Sequence, residues 1–286
     1  MIRQEQGARL EGSVELAQPG RFITGPLQVL WAFVYKTLVI AELEARKLRH
    51  DPSELIMRGV QPVLWLVVFG EVLTKIRAIP TPGNIRYLDF MTPGILAQSV
   101  LFIAIFSGMS AIWERDLGIV HKFLASPTPR HALMLGKSVS SGVRALPQAI
   151  FVYVLAVALG VKMSYNPLHI IGVLIIVVLA ATAFAAFSLC AAFMIKSRDR
   201  FMGFGQVLTQ PLFFASNAIY PINIMPTWLK ILSHGNPLTY EVDALRSLML
   251  RNYSSSYPMA ADFGVLLLAV AILVYVGGKL YPHIAT

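Results

Sequence analysis

Charged side chains are scarce in this chain. Only 14% of its 286 residues are Asp, Glu, Lys or Arg and 56% are hydrophobic, whereas a soluble domain carries about 25% charged residues. The mean hydropathy is +0.64. The apolar residues form several long runs and not alternating ten-residue segments, which favours membrane-spanning helices over a barrel. We therefore predict an all-α polytopic membrane protein.

Cysteine and metal-binding patterns are also nearly absent. The one cysteine, Cys190, lies in an apolar run, so it forms no intramolecular disulfide and is interpreted as a small core residue. The net charge of +9 fits the positive-inside bias of a membrane protein, and we expect no nucleic-acid partner. The histidines lack metal-ligand spacing, so no metal site is expected; they are His50, His121, His131, His169, His234 and His283.

Nucleotide-binding and catalytic motifs are missing as well. Gly136-Lys137-Ser138 looks like the end of a phosphate-binding loop, but His131 stands where that motif needs its first glycine. No strand-turn-helix elbow for a serine nucleophile is evident. We expect no catalytic residue, no enzyme activity and no cofactor bound by this chain itself.

Six apolar runs predict six membrane-spanning helices within a single domain over residues 51–286. A polar cytoplasmic arm over 1–25 and an amphipathic interface helix over 26–50 precede it. The uncharged part of 26–41 is too short to cross a hydrocarbon core of roughly 30 Å, although a seventh span there is the alternative. Short outer helices are predicted before the last span. The six spans are expected at about 55–76, 90–112, 132–161, 169–195, 201–220 and 261–281.

Orientation follows from the basic residues. An even number of spans places both termini on one face, and roughly twice as many Lys and Arg residues fall on that face as on the other. This predicts a multi-pass protein of the plasma (inner) membrane with both termini in the cytoplasm.

Few charged residues lie inside the predicted spans. Only Arg144 and Glu71 are candidates for ionisable groups at depth, whereas an ion-driven carrier keeps such groups paired or facing a cavity. Both residues are weak candidates for a substrate path. With neither an ATPase motif nor an ion relay, the energy for any transport is expected from another subunit.

One polar stretch interrupts the apolar runs, and we call residues 113–130 (WERDLGIVHKFLASPTPR) the charged segment. Its charged side chains cost a few kcal/mol each in hydrocarbon, so the segment belongs in water. Apolar residues recur on one side at Ile119, Val120, Phe123 and Leu124. This pattern predicts a short helix from about Trp113 to Ala125 that contacts a partner.

Three stretches of the sequence resemble the ABC-2 type transporter permeases, the membrane subunits of ABC exporters that include the daunorubicin-resistance and nodulation-factor permeases. The first is ELEARKLRHDPSELIMRGVQPVLWLVVFG, a basic helix followed by a first span. The second runs from Trp113 to Gln148 and matches at Glu114, Arg115, Gly118, Leu124, Ser126, Pro127, Arg130, Gly136 and Lys137. The third runs from Asn217 to Leu250 and matches at Pro221, Pro226, Trp228, Asn236, Pro237, Tyr240, Asp243 and Arg246.

The resemblance implies a homodimer, or a heterodimer with a sibling permease, that works with two ABC ATPase subunits. ATP and Mg would bind to those subunits, and the cargo would be a drug, lipid or lipid-linked saccharide. ATPase coupling falls on Trp113, Glu114, Arg115, Gly118, Lys122, Phe123, Ser126, Pro127 and Arg130, with the interface helix bracing through Arg46, Lys47 and Arg49. The outer gate and helices would involve Tyr220, Pro221, Pro226, Asn236, Pro237, Asp243 and Arg246.

Two other classes of function stay open at this stage. An ion-coupled secondary transporter would depend on Arg144 or Glu71 and would work without an ATPase. A membrane-embedded enzyme or assembly scaffold would need a polar catalytic cluster at one face, and the sequence offers none that we recognise.

Overall fold

The computed structural model describes residues 35, 39, 59–76, 79–82, 85–120, 129–195, 197–251, 253 and 255–281. The predicted polar arm, and Arg46, Lys47 and Arg49 of the interface helix, lie outside these residues. Of the 26–50 stretch only Tyr35 and Val39 are described, and both are helical and exposed. The described residues are otherwise helices and their connections, apart from an isolated antiparallel bridge between Met163 and Leu250.

Nine α-helices have both ends within the described part of the chain, together with a short 3₁₀ turn at Ile222–Ile224. They are α1 (Gly59–Ile76), α2 (Tyr87–Ser107), α3 (Met109–Asp116), α4 (Arg130–Ala158), α5 (Pro167–Met194), α6 (Arg198–Phe214), α7 (Thr227–Gly235), α8 (Pro237–Met249) and α9 (Met259–Leu280).

Among the residues that the structure describes, five helices are long and apolar enough to cross a membrane: α1, α2 with α3, α4, α5 and α9. This confirms the predicted all-α polytopic membrane fold. The count of six is not confirmed, because α6 has 17 residues and ends at Phe214, short of both the predicted 201–220 and the roughly 20 residues that a span needs. A sixth span stays a prediction.

Local sequence explains several helix boundaries. Asn166 and Asn236 each stand before a proline, and their side chains accept hydrogen bonds from Leu168 N and Leu238 N at 3.1 Å. An Asn at the N-cap followed by Pro in the first turn is a strong start signal for a helix. Inside α1, residues Leu64–Gly70 form a π-helical stretch.

The predicted helix from Trp113 to Ala125 is interrupted. The helix that enters the charged segment ends at Asp116, and Gly118 follows with a φ of 68°, a left-handed conformation that glycine adopts without the steric cost of a Cβ. Ile119 and Val120 are helical again, and residues 121–128 lie outside the described part.

The core is built around α5, which contacts α4, α2, α8 and α9. Its second half is rich in buried alanines, among them Ala180, Ala181, Ala185 and Ala186. Small residues let helix backbones approach closely in a membrane, where packing replaces the hydrophobic effect as the driving force. A second, smaller core cluster joins α3, the start of α4, the end of α5 and the end of α9.

The bundle has two ends. The charged-segment end holds Asp116, Arg130, Arg198 and the last turn of α9, where Tyr281 packs edge-on against Phe193 with ring centroids 5.3 Å apart. The opposite end holds the start of α2, the connection between α4 and α5, and helices α7 and α8. Helix α6 begins with Arg198 at the charged-segment end and runs towards the opposite end.

Candidate functional site

A buried ion pair ties the charged segment to the bundle. Glu114, in α3, forms a salt bridge with Lys137 near the start of α4, and the side chains are only 13% and 9% exposed. Lys137 is buried here although its side chain is charged. Removing one partner of a buried pair leaves an uncompensated charge, so Glu114 fixes α3 against α4.

Asp116 makes a second tie at the end of α3. Its carboxylate accepts hydrogen bonds from neighbouring Arg115 and from Arg198, with N to O distances of 3.0 and 2.7 Å. Arg198 belongs to the first turn of α6. The pair is solvent-accessible and therefore weaker than the Glu114 pair, but it extends the connection from α3 to a third helix.

The last turns of α3 and the residues that follow it present an accessible surface. Trp113 is 52% exposed and Leu117 is 72% exposed, while Val120 is buried and anchors the segment to the smaller core cluster. Arg130 lies exposed at the first position of α4. Four predicted coupling residues, Lys122, Phe123, Ser126 and Pro127, lie outside the described part of the chain.

A cavity of about 500 Å³ opens beside the charged segment. Its walls are mainly apolar, and two arginines stand on them. The lining includes Phe106, Met109, Trp113, Arg144, Arg198 and Met202. The weak candidate Arg144 is thus brought next to a predicted coupling residue, Trp113. Glu71, the other weak candidate, belongs to α1 on the side of the opposite end and is absent from this lining.

The predicted outer residues cluster around α8, which is inserted into the opposite end of the bundle. Arg246 is 1% exposed. Its guanidinium donates to the carbonyls of Phe90 and Ala218, each at 3.0 Å, and to that of Asn217, and it stacks 3.6 Å from the centroid of the Phe90 ring. Carbonyl acceptors and an aromatic face stabilise this buried cation.

The other outer residues make local contacts around α8 and in the segment before it. Asn236 donates to Leu212 O at 2.7 Å, and Asp243 accepts from Ser255 Oγ and Tyr257 N at 2.6 and 2.9 Å. Pro226 and Pro237 stand at the starts of α7 and α8, Pro221 precedes the 3₁₀ turn, and the Tyr220 hydroxyl donates to Phe214 O. The structure therefore brings these residues together as one architectural cluster.

The sequence prediction of little buried charge is wrong. Besides Lys137 and Arg246, four carboxylates are almost completely buried: Asp89, Glu241, Asp243 and Asp262. Glu241 and Asp262 have no hydrogen-bond partner among the described residues. Glu241 stands in an amphipathic pattern that normally places acids in solvent, so no local signal identified its burial. The pairing of Glu114 with Lys137 was also missed, although both residues were singled out.

Comparisons with known proteins agree on one family. The family described as "ABC-2 type transporter" matches residues 35–250. The ycf38 protein of Cyanophora paradoxa is 28% identical over 217 residues, which cover 76% of this chain and 74% of that protein. The daunorubicin resistance ABC transporter permease protein DrrB1 of Streptomyces coeruleorubidus is 22% identical over 201 residues, 70% of each chain.

A third relative is the inner membrane transport permease YadH of Escherichia coli (strain K12). It is 24% identical over 232 residues, 79% of this chain and 86% of that protein. The family match extends over the charged segment, its two ionic ties and helix α8. The chain belongs to the ABC-2 type transporter family, as a membrane-spanning permease subunit.

Proposed function

We propose that this chain is the permease of an ATP-driven exporter that moves a hydrophobic or amphipathic substrate, such as a drug, a lipid or a lipid-linked saccharide, out of the cell. Two copies of a separate ABC ATPase, holding ATP and Mg, would dock on the charged segment of a permease homodimer or of a heterodimer with a sibling. The complex would lie in the plasma membrane with both permease termini in the cytoplasm.

One observation carries this proposal: the ionic ties from α3 to two other helices. Because Glu114 binds Lys137 of α4 and Asp116 binds Arg198 of α6, a push on the charged segment displaces three helices as a unit. A loop that was merely solvated would need no buried ion pair. Movement of packed elements about such an interface is an established way to transmit a switch.

The cavity beside the charged segment supports an amphipathic substrate. Phe106, Met109 and Met202 offer apolar contacts, while Arg144 and Arg198 offer charge. Ligand sites combine mainly apolar walls with a few polar groups in this way. The cavity opens next to the residues that the ATPase would move, so access to it would change with the nucleotide state.

Docking is tested with two leucines of matched exposure. Leu117, within the charged segment, is 72% exposed, and Leu168, at the opposite end, is 75% exposed. We expect Leu117→Arg to reduce the amount of ATPase that co-purifies with the full-length permease at least tenfold, and Leu168→Arg to leave it unchanged. Equal ATPase recovery with both variants would contradict docking at the charged segment.

Buried carboxyl groups favour a second candidate, an ion-coupled transporter. Glu241 and Asp262 are buried without a hydrogen-bond partner among the described residues, and such groups in membrane proteins often mark ion pathways. This alternative predicts that transport survives deletion of the ATPase, stops when the proton gradient is collapsed, and is abolished by Glu241→Gln. The exporter proposal predicts that transport stops when the ATPase is deleted and survives when the proton gradient is collapsed.

A further inference from the structure

The opposite end of the bundle contains a cavity of about 1130 Å³ that the proposed export path does not use. Three separate parts of the chain form its walls: the connection between α1 and α2, the connection between α4 and α5, and the residues after α8. Apolar side chains cover part of it, namely Ile79, Pro80, Ile85, Val161, Met163 and Leu250. Three basic residues, Arg86, Lys162 and Arg251, also line it.

Arg86 is fully engaged by its own surroundings. Its guanidinium pairs with the buried carboxylate of Asp89 at 3.1 Å and donates to the carbonyls of Leu159 and Gly160 at 3.4 and 3.0 Å. These carbonyls follow the last residue of α4, at the end where the helix dipole is negative. Arg86 therefore neutralises both the acid and the helix end that would otherwise repel an anion from the cavity.

Lys162 and Arg251 are arranged differently. Met163 and Leu250 form the antiparallel bridge, and Ser164 N donates to Met249 O at 2.7 Å. Lys162 precedes Met163 and Arg251 follows Leu250, so the bridge brings these two basic residues to the same wall of the cavity. Like charges that lie close together repel each other.

No carboxylate relieves this repulsion within the described residues, because neither Lys162 nor Arg251 forms an ion pair there. Arg251 lies over the ring of Tyr165, 5.8 Å from its centroid, which leaves its N–H groups free to bind in the plane of the guanidinium. Two cations on one wall, with apolar surface beside them, match an anionic group carried by an amphiphile.

We propose that this cavity binds a phosphate group, with Lys162 and Arg251 as its ligands and the apolar wall as the seat of any attached lipid chain. The phosphate belongs either to a lipid headgroup or to a free phosphate ion. The site is independent of the proposed transport cycle, since it needs neither ATP nor a second subunit. Its binding can therefore be tested whether or not the exporter proposal holds.

The test is calorimetric titration of the purified full-length chain in uncharged detergent. Short-chain phosphatidylglycerol is compared with phosphatidylcholine of the same chain length. We expect the wild type to bind phosphatidylglycerol at least tenfold more tightly, and this preference to weaken as salt is raised. Lys162→Gln combined with Arg251→Gln should remove the preference. Lys75→Gln, an equal charge change at an exposed residue of the same end outside the cavity lining, should keep it.

A charge-reversal variant distinguishes loss of binding from loss of folding. Lys162→Glu should pair with Arg251, leave the unfolding temperature unchanged or higher, and still abolish the preference for phosphatidylglycerol. Competition by millimolar inorganic phosphate would identify a site for the free anion, and its absence would identify a lipid-anchored headgroup; either supports the site. Equal binding of both lipids by the wild type, or a preserved preference in Lys162→Glu, would overturn it.

Discussion

At the scale of single residues, Glu114 and Lys137 are the most consequential pair. They are 23 positions apart in sequence, and each lies on a helix that reaches the charged-segment end. Their burial makes the pair sensitive to the loss of either partner, while the exposed Asp116 and Arg198 pair tolerates more change. The two ties therefore differ in how far each governs stability.

We expect Lys137→Met to destabilise the permease by about 3 kcal/mol, because the Glu114 carboxylate then stays buried without the Lys137 cation. ATP-driven transport should fall at least tenfold. The measurements are thermal unfolding of the purified chain and substrate uptake by inverted vesicles. Exchanging the two charges, Glu114→Lys with Lys137→Glu, should restore most of both. If the exchange recovers neither, the pair is not the link between α3 and α4.

Gly94 is a second residue whose identity is set by close contact. A Cβ at this position would lie 2.8 Å from Ala218 Cα, whereas one at Gly264 in α9 would meet nothing within 4 Å. We expect Gly94→Ala to lower stability by about 1–3 kcal/mol through overpacking, and Gly264→Ala to be neutral or slightly stabilising. Thermal unfolding of the two variants side by side checks this, and equal unfolding temperatures would contradict the close approach.

At the scale of elements, α8 is the least expected part of the fold. Its sequence alternates acids and apolar residues as a surface helix does, and two short outer helices were predicted here. The structure buries ten of its thirteen residues between α2, α5 and α9. Arg246 supplies the reason, since its contacts with Phe90, Asn217 and Ala218 hold α8 inside the bundle.

The substitution Arg246→Met should therefore release α8 from the bundle. The probe is a cysteine placed at the buried Leu245, in a chain whose Cys190 is replaced by Ala. We expect this cysteine to resist a thiol reagent while Arg246 is present, and to react at least tenfold faster once Arg246 is replaced. Lys230→Met on α7 serves as the control and should leave the reaction slow. Slow reaction in both backgrounds would mean that apolar packing alone holds α8.

At the scale of the whole molecule, the sequence predicted the all-α membrane fold class, and the expected bounds of α4 and α5 lie close to those in the structure. α5 was expected at 169–195 and is Pro167–Met194, and α4 was expected at 132–161 and is Arg130–Ala158. These boundaries follow from local signals, above all Asn166-Pro167. The early end of α6 has no such signal. It is followed by a turn at Asn217 and Ala218 whose carbonyls bind Arg246, a residue 28 positions or more further on.

Only part of the candidate site could likewise be predicted from the sequence. Glu114, Arg115 and Asp116 were identified from their charge between apolar runs. The pairing of Glu114 with Lys137 and of Asp116 with Arg198 was not identified, because Lys137 and Arg198 meet α3 only through packing of separate helices. The break at Gly118 was missed because the apolar periodicity of the charged segment continues across it. Burial of Glu241 and Asp262 depends on neighbours from several helices and has no signature in their own segments.

Sidedness is a testable property of the complete fold. Single cysteines at Arg130 and at Lys230, in a chain with Cys190 replaced by Ala, occupy the two ends of the bundle. In intact cells we expect an impermeant thiol reagent to label Lys230→Cys and to spare Arg130→Cys, with the pattern reversed in inverted vesicles. Labelling of both from the same side would contradict the proposed topology.

The insertion of Arg246 also has a consequence for biogenesis. The acceptors of this cation are carbonyls of α2 and of the turn after α6, which are synthesised before α8. Helix α8 is also buried against α9, which is synthesised after it, so its burial is incomplete until α9 is in place. We expect α8 to wait at the membrane surface while the ribosome completes α9. The last major step in maturation would then be the entry of an internal segment and not of the carboxyl-terminal helix.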